Sequence, residues 1–259
     1  MKKLSGETAI ISGGLGDIGR AIALCLAESG ARIAIGDVLP ASAAQSFLRS
    51  IQSKGQKACY DRVDVSDAFA VQRWINTVSH RLGTPTLIIP NAAIVTVAFL
   101  RKMSPSQWER ELQINLTGAC YVARAGALRL IKQKKAGRIV FIGSWAAHFP
   151  HPNLPAYCVS KAGLRMLCQC MAVEFAADNI LVNEIAPGYV DAGLSGRFFR
   201  KNPKLRRQSI RQVPVKKLIS PEEVARQVLH LCDPENQHMT GSTVLMDGGL
   251  SLVGKERAT

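Results

Sequence analysis

Near its start the chain runs from an apolar strand straight into a cluster of glycines: Thr8-Ala-Ile-Ile-Ser12, then Gly13-Gly-Leu-Gly-Asp-Ile-Gly19. Arg20-Ala-Ile-Ala-Leu-Cys-Leu-Ala-Glu28 follows with the composition of a helix. A strand, a glycine-rich turn and a helix in that order form the phosphate-binding opening of a dinucleotide fold. The glycines let backbone approach a pyrophosphate, and the helix start supplies free N–H groups and the positive end of its dipole. The next strand, Ala31-Arg-Ile-Ala-Ile-Gly-Asp37, ends in an acid 18 residues after Gly19. A carboxylate there accepts hydrogen bonds from both ribose hydroxyls and repels a 2′-phosphate, so Asp37 points to NAD rather than NADP. The competing reading is a tight turn beside a solvent-facing Asp.

The rest of the chain repeats the alternation. Apolar runs predict strands near 8–12, 31–36, 57–63, 86–90, 138–143, 180–185 and 243–246. Helical patterns fill 18–29, 41–53, 67–81, 105–133, 154–177 and 221–231. Such βα alternation predicts an α/β fold of Rossmann type, a doubly wound parallel sheet. At 259 residues, with 47% hydrophobic and 20% charged residues, the chain suits one soluble domain spanning 1–259. No apolar run reaches the ~18 residues of a membrane span. Lys2 and Lys3 mimic the start of a signal peptide, but Glu7, Ser12 and the glycines interrupt the stretch that follows. A cytoplasmic protein without a membrane partner is expected. Seven cysteines with irregular spacing, mostly in apolar helical stretches, read as small core residues rather than as metal ligands or disulfides.

Tyr157-Cys-Val-Ser-Lys161 carries chemistry. Positions i and i+4 share one helix face, so an ammonium lies beside a phenol. A nearby positive charge favours the phenolate and lowers the phenol pKa, which yields an acid/base for an alcohol proton near neutrality. Thirteen residues earlier, Ser144 closes the run Arg138-Ile-Val-Phe-Ile-Gly-Ser144. At the carboxyl end of a buried parallel strand, where ligands sit in such sheets, a serine can hydrogen-bond a substrate oxygen.

Together these elements resemble the short-chain dehydrogenase/reductase family over roughly residues 5–250. Asp64-Val65, Asn91-Ala-Ala93, Asn115, Asn183, Pro187-Gly188, Thr240-Gly241 and Asp247-Gly-Gly249 extend the resemblance. It implies that Tyr157 is the general acid/base, with Lys161 holding the nicotinamide ribose and lowering the Tyr157 pKa. Ser144 would orient the substrate oxygen, and Asn115 would support a proton-relay water. It also implies a cofactor site built from Ser12, Gly13, Gly14, Gly16, Asp17, Ile18, Gly19, Asp37, Val38, Asp64, Val65, Asn91, Ala92, Ala93, Tyr157, Lys161, Pro187, Gly188 and Val190. Within it Asp64 and Val65 would border the adenine, Asn91 the adenosine ribose, and Pro187, Gly188 and Val190 the nicotinamide. The chain departs from the family pattern at Asp17 (usually Gly), at Pro90 (usually Asn), around Ala192 (usually Thr) and at Ser12 (usually Thr). Asp17 is suited to capping a helix yet is expected close to the pyrophosphate charge, and Pro90 removes a backbone donor at a strand end.

Substrate signals are fewer. Between Ser144 and Tyr157, Trp145 is expected to wall the pocket, while His148 and His151 read as ordinary loop residues. The resemblance makes about 191–217 a substrate lid. From Arg197 to Lys217 this stretch holds nine basic residues and no acid, which suits either an anionic substrate or a solvated basic face. The net charge of +14 raises nucleic-acid binding, but no nucleic-acid module is recognisable, so no such partner is expected. The resulting expectation is an NAD-dependent oxidoreductase that interconverts a secondary alcohol (a sugar, polyol or hydroxy acid) and its ketone. One alternative is a 3-oxoacyl-thioester reductase, although such enzymes usually prefer NADP, against Asp37. The other is a noncatalytic dinucleotide-binding protein on the same fold. The two long helices are expected to form subunit contacts in a homodimer or homotetramer.

Overall fold

A computed structural model describes residues 2–253, so both ends of the expected 1–259 domain lie outside the described residues. The side chains of Arg197 and Phe198 also lie outside them. Among the described residues seven strands form one sheet: β1 (Thr8–Ser12), β2 (Arg32–Asp37), β3 (Ala58–Arg62), β4 (Leu87–Ile89), β5 (Gly137–Ile142), β6 (Ile180–Pro187) and β7 (Thr243–Met246). Their order is β3-β2-β1-β4-β5-β6-β7. All six pairings are parallel. This is the doubly wound sheet that the alternation predicted.

Strand alternation divides the core. Ile11, Ile33, Ile35 and Ile89 face α1 (Asp17–Glu28), α2 (Gln45–Gln52) and α9 (Pro221–Leu231). Ile10, Ala34, Ile88, Ile139, Phe141 and Val182 face α3 (Ala68–Leu82), α5 (Ala119–Lys132) and α6 (Pro155–Phe175). Both faces are covered, which is why these strands read as continuous apolar runs. Each fully buried Ile or Phe contributes about 1.5–3 kcal/mol by leaving water.

Helix starts follow their capping residues. Asp67 accepts from the amides of Phe69 and Ala70 at the start of α3. Ser104 with Gln107, and Ser220 with Glu223, form capping boxes ahead of α4 (Pro105–Leu112) and α9. One expectation is corrected here. The single helix over 105–133 is instead α4, a π-helical stretch at Gln113–Gly118, and α5. Within that wider turn the buried Asn115 binds a neighbouring loop: Ile94 N–H donates to its Oδ1 at 2.8 Å, and its Nδ2 donates to Ile94 O at 2.9 Å. Periodicity alone does not report this insertion, because apolar spacing continues through it.

Beyond β6, two helices not anticipated as such, α7 (Gly193–Lys201) and α8 (Pro203–Gln212), occupy the expected lid. A bridge between Val190 and Ile219 closes its base.

Candidate active site

The carboxyl ends of β1, β2, β4, β5 and β6 bring most of the expected residues to one edge of the sheet. Gly13 there adopts φ +61°, and a Cβ on it would meet the Ala92 Cα at 2.8 Å. A Cβ on Gly19 would meet Gly13 O at 2.5 Å and Gly14 Cα at 2.7 Å, so the turn packs directly on the first turn of α1. Among the described residues no side chain caps α1, whose N-cap is Gly16, so the helix start presents bare amides. Asp37 ends β2 with its carboxylate fixed: Leu15 N–H donates to Oδ2 at 3.1 Å and Leu39 N–H to Oδ1 at 3.3 Å. A cradle that only glycine fills, unused helix amides and an oriented carboxylate fit the pyrophosphate and ribose of a dinucleotide.

Several residues expected around the cofactor also hold the turn in place. The Ser12 hydroxyl accepts from the amides of Asn91 (3.0 Å) and Ala92 (3.2 Å). Asn91 Nδ2 donates to Ser12 O and Gly13 O, both at 3.0 Å. These bonds join β1 to the loop after β4, which begins at Pro90. Pro90 lacks an N–H, but its carbonyl still accepts the Ile142 N–H of β5 at 3.2 Å. Val65 is buried against Gly118, and the Asp64 Oδ1 accepts from Ser66 N–H and Oγ. Gly188 donates to Met246 O at 2.7 Å, which sets the Pro187–Gly188 corner on β7. Asp17, the departure that looked worst placed for a pyrophosphate, is engaged elsewhere. Its Oδ2 accepts the Gly193 N–H at 2.7 Å, tying the turn to the first residue of α7.

The residues expected to carry the chemistry lie where β5 meets α6. The Ser144 hydroxyl accepts from Ala146 N–H at 3.1 Å and hydrogen-bonds the Tyr157 phenol. Lys161, one helical turn on, places Nζ 5.6 Å from the Tyr157 ring centroid and donates to Ile142 O at 2.8 Å. Asn115 lies behind them, its Nδ2 3.3 Å from the Ser160 hydroxyl. Asn115, Ser144, Tyr157 and Lys161 are thus brought together. The expected lowering of the phenol pKa is corrected, however. Burial pushes Tyr157 up to about 12; the Ser144 hydrogen bond opposes this, while Glu111 and Cys158 add to it. Desolvation outweighs every favourable contact. The buried Lys161 is pushed down to about 8 by the same loss of water, against the attraction of Glu184 and Glu111.

Trp145 is more deeply set than a pocket wall. It is 4% exposed and forms the centre of an aromatic cluster with Phe149 (centroids 5.8 Å apart), His151 (4.7 Å) and Tyr189 (5.3 Å). Tyr189 in turn meets Phe199 of α7 at 6.1 Å, so the cluster seats the lid on the loop after β5. His151 is therefore a packed residue, and His148 pairs with Arg165 at 2.8 Å. Two charged residues here escaped the sequence reading, the fully buried Glu111 and Glu184. For Glu184 the signal was available: it is the one acid inside the run Ile180-Leu-Val-Asn-Glu-Ile-Ala-Pro187.

Comparison with known proteins follows the geometry. A family model described as enoyl-(acyl carrier protein) reductase matches residues 14–251. Glucose 1-dehydrogenase 2 of Bacillus subtilis is 30% identical over 252 residues, covering 97% of each chain. The 3-oxoacyl-[acyl-carrier-protein] reductase of Thermotoga maritima is 28% identical over 250 residues, which is 96% of this chain and 100% of that one. The crystal structure of an NAD+-bound xylitol dehydrogenase matches with a TM-score of 0.90 at 31% identity, covering 96% of this chain and 100% of that one.

Proposed function

The chain belongs to the short-chain dehydrogenase/reductase family, and on that premise we propose that it is an NAD-dependent oxidoreductase interconverting a secondary alcohol and its ketone. The observation that carries this reading is the placement of Tyr157 with the buried Lys161 Nζ 5.6 Å from its ring, at the sheet edge that also presents the glycine cradle. NAD, when bound, supplies or accepts the hydride. The chain's own residues handle the oxygen and its proton. Ser144 and Tyr157 hold the substrate oxygen between them. In oxidation Tyr157 Oη takes the hydroxyl proton; in reduction it returns that proton to the carbonyl oxygen. Lys161 supplies the positive charge that favours the phenolate once the ribose is held, and Asn115 supports the water through which the proton leaves. The Asp37 carboxylate, fixed from two sides, is the basis for choosing NAD.

The dehydrogenase relatives act on glucose and xylitol by name, which favours a sugar or polyol for this pocket. The relative acting on a 3-oxoacyl carrier thioester supports the second reading, and the basic stretch of α7 and α8 suits an acidic carrier. The noncatalytic reading loses its main motive, because Asp17 bonds Gly193 rather than leaving an unpartnered charge in the turn. Exposed Val159, Met166 and Val173 on α6, with Leu128 on α5, support pairing of those helices in a homodimer or homotetramer. No helix among the described residues is long and apolar enough to cross a membrane.

Parallel calorimetric titration with NADH and NADPH tests the cofactor; equal or tighter NADPH binding would overturn the role given to Asp37. Tyr157→Phe is expected to lower kcat by about 10²–10⁴, the scale of one positioned acid/base, with folding unchanged. Full turnover by that variant would refute the mechanism.

A further inference from the structure

We propose that Glu184 is a positioning residue for the reaction, an ionised carboxylate set beneath Lys161 that keeps its amine in the ammonium form. The proposal rests on the assignment of Lys161 to the reactive group, and it concerns a residue that the family resemblance did not single out.

Glu184 occupies a place that the fold reserves for an apolar side chain. On β6, Ile180 and Val182 point into the core shared with Leu164, Cys168, Met171 and Phe175 of α6. Alternation sends residue 184 to that same face. Glu184 is 0% exposed there, and burying a carboxylate among apolar side chains is costly unless another charge answers it. Its hydrogen bonding is incomplete. The Thr243 hydroxyl donates to Oε2 at 2.7 Å, whereas Oε1 is buried with no hydrogen-bond partner among the described residues. Oε1 occupies the space that a Cβ on residue 143 would need, so it lies against Gly143. The preceding residue, Ile142, supplies the carbonyl that holds Lys161 Nζ. The unsatisfied oxygen and the ammonium therefore meet the same bend at the end of β5.

The surroundings give the carboxylate a definite task. From α6 it is faced by Lys161, Arg165 and the thiol of Cys168; from β7 by the neutral Thr243; from β5 by the apolar Phe141, its register partner, and just past that strand by Gly143. Lys161 is faced by Glu184, by Glu111 of α4 and by the Tyr157 ring. The two acids are not equivalent. Glu111, whose Oε2 accepts Thr96 N–H at 2.8 Å, also acts on Tyr157 and disfavours its phenolate. Glu184 acts on Lys161 and Arg165. It thus supports the cation. Burial raises the Glu184 pKa; Thr243, Lys161 and Arg165 draw it back down. On Lys161 burial acts the opposite way, and Glu184 is the first of the groups that resist it. Each charge opposes part of the penalty that burial places on the other.

The direct test is an NMR titration of the lysine 13Cε signals in the whole chain without cofactor, with Lys161 assigned by its loss in Lys161→Met. Lys161 is expected to titrate near 8 in the wild-type protein. In Glu184→Gln, which keeps the side-chain shape, it should titrate lower by about one unit or more, leaving roughly a tenth of the ammonium at the same alkaline pH. An unchanged Lys161 titration would overturn the proposal. Should Glu184→Gln fail to fold, the Glu184 13Cδ signal of the wild-type protein decides. An ionised carboxylate through neutrality supports the proposal; one that keeps its proton until Lys161 has lost its own overturns it. In turnover, Glu184→Gln should move the alkaline fall of kcat to lower pH by the same interval and keep kcat on the acid side. A uniform fall at every pH would indicate a merely structural role and overturn the proposal. Failure of NADH to bind, with the lysine shift present, would refute the proposed function, and with it the part Glu184 plays in the reaction, while the coupling of Glu184 to Lys161 would stand.

Discussion

The glycine-rich turn and the lid face each other across the mouth of the site and are built on opposite plans. The turn is held by close backbone packing: Gly13 against Ala92, Gly19 against Gly13 and Gly14, and Asn91 bonded to two carbonyls. The lid is held mainly by side chains at its edges. These are the Asp17 bond to Gly193, the Asp191–Arg206 ion pair and Phe199 against Tyr189; a backbone bridge, Val190–Ile219, adds to them at its base. A backbone-packed turn fixes where phosphate can sit and tolerates no added atom. A side-chain-tethered lid can open locally at modest cost and can change in sequence without unfolding the sheet. The difference suits a site that keeps one cofactor while its substrate pocket diversifies.

The comparison can be broken hardest at Gly19. By helix propensity Gly19→Ala should gain about 1 kcal/mol, but its Cβ meets backbone atoms at 2.5 and 2.7 Å, which cannot swing aside. Overpacking of about 1–3 kcal/mol is expected to prevail, with a lower Tm and loss of NADH binding. A variant of unchanged Tm and affinity would show that the turn is softer than its packing indicates.

Asp17 joins the two regions, so Asp17→Ala sharpens the contrast between them. An exposed charged hydrogen bond contributes no more than about 1 kcal/mol, so Tm should barely move. Hydrogen exchange at the Gly193 amide should accelerate, and NADH should bind somewhat more tightly once a negative charge beside the phosphate site is gone. Unaltered exchange at Gly193 would mean that the bond does not tether the lid.

The smallest effect is expected at the exposed Asp191–Arg206 pair. Arg206 holds the Asp191 carboxyl below the ordinary carboxylate range, so the pair contributes at neutral pH and is lost as pH falls through that lowered value. In Arg206→Ala the Asp191 carboxyl signal should titrate at higher pH, with Tm almost unchanged. Identical titration in both proteins would remove the pair from the account of the lid.

Much of this was legible in the residues themselves. Apolar runs of strand length placed all seven strands to within one or two residues; the central ones, covered on both faces, have no polar side to blur their limits. Glycines at a strand–helix junction announced the turn, because a backbone that close to its neighbours excludes every other residue. Ser144, Tyr157 and Lys161 were recoverable because one strand end and one helix face carry all three. What escaped depends on partners distant in sequence. The π-helical turn at Asn115 answers to a loop 21 residues away, and Asp17 finds its amide 176 residues on. The sign of the Tyr157 shift could not come from its i+4 spacing, because spacing counts the charge of Lys161 and omits the water removed from both groups. Sequence by itself determined the sheet and the glycine-rich turn, which follow from local pattern, and it nominated Ser144, Tyr157 and Lys161 as neighbours. Only tertiary structure decided which carboxylates are buried beside Lys161 and what holds the lid, since burial and opposing charge are properties of the assembled chain.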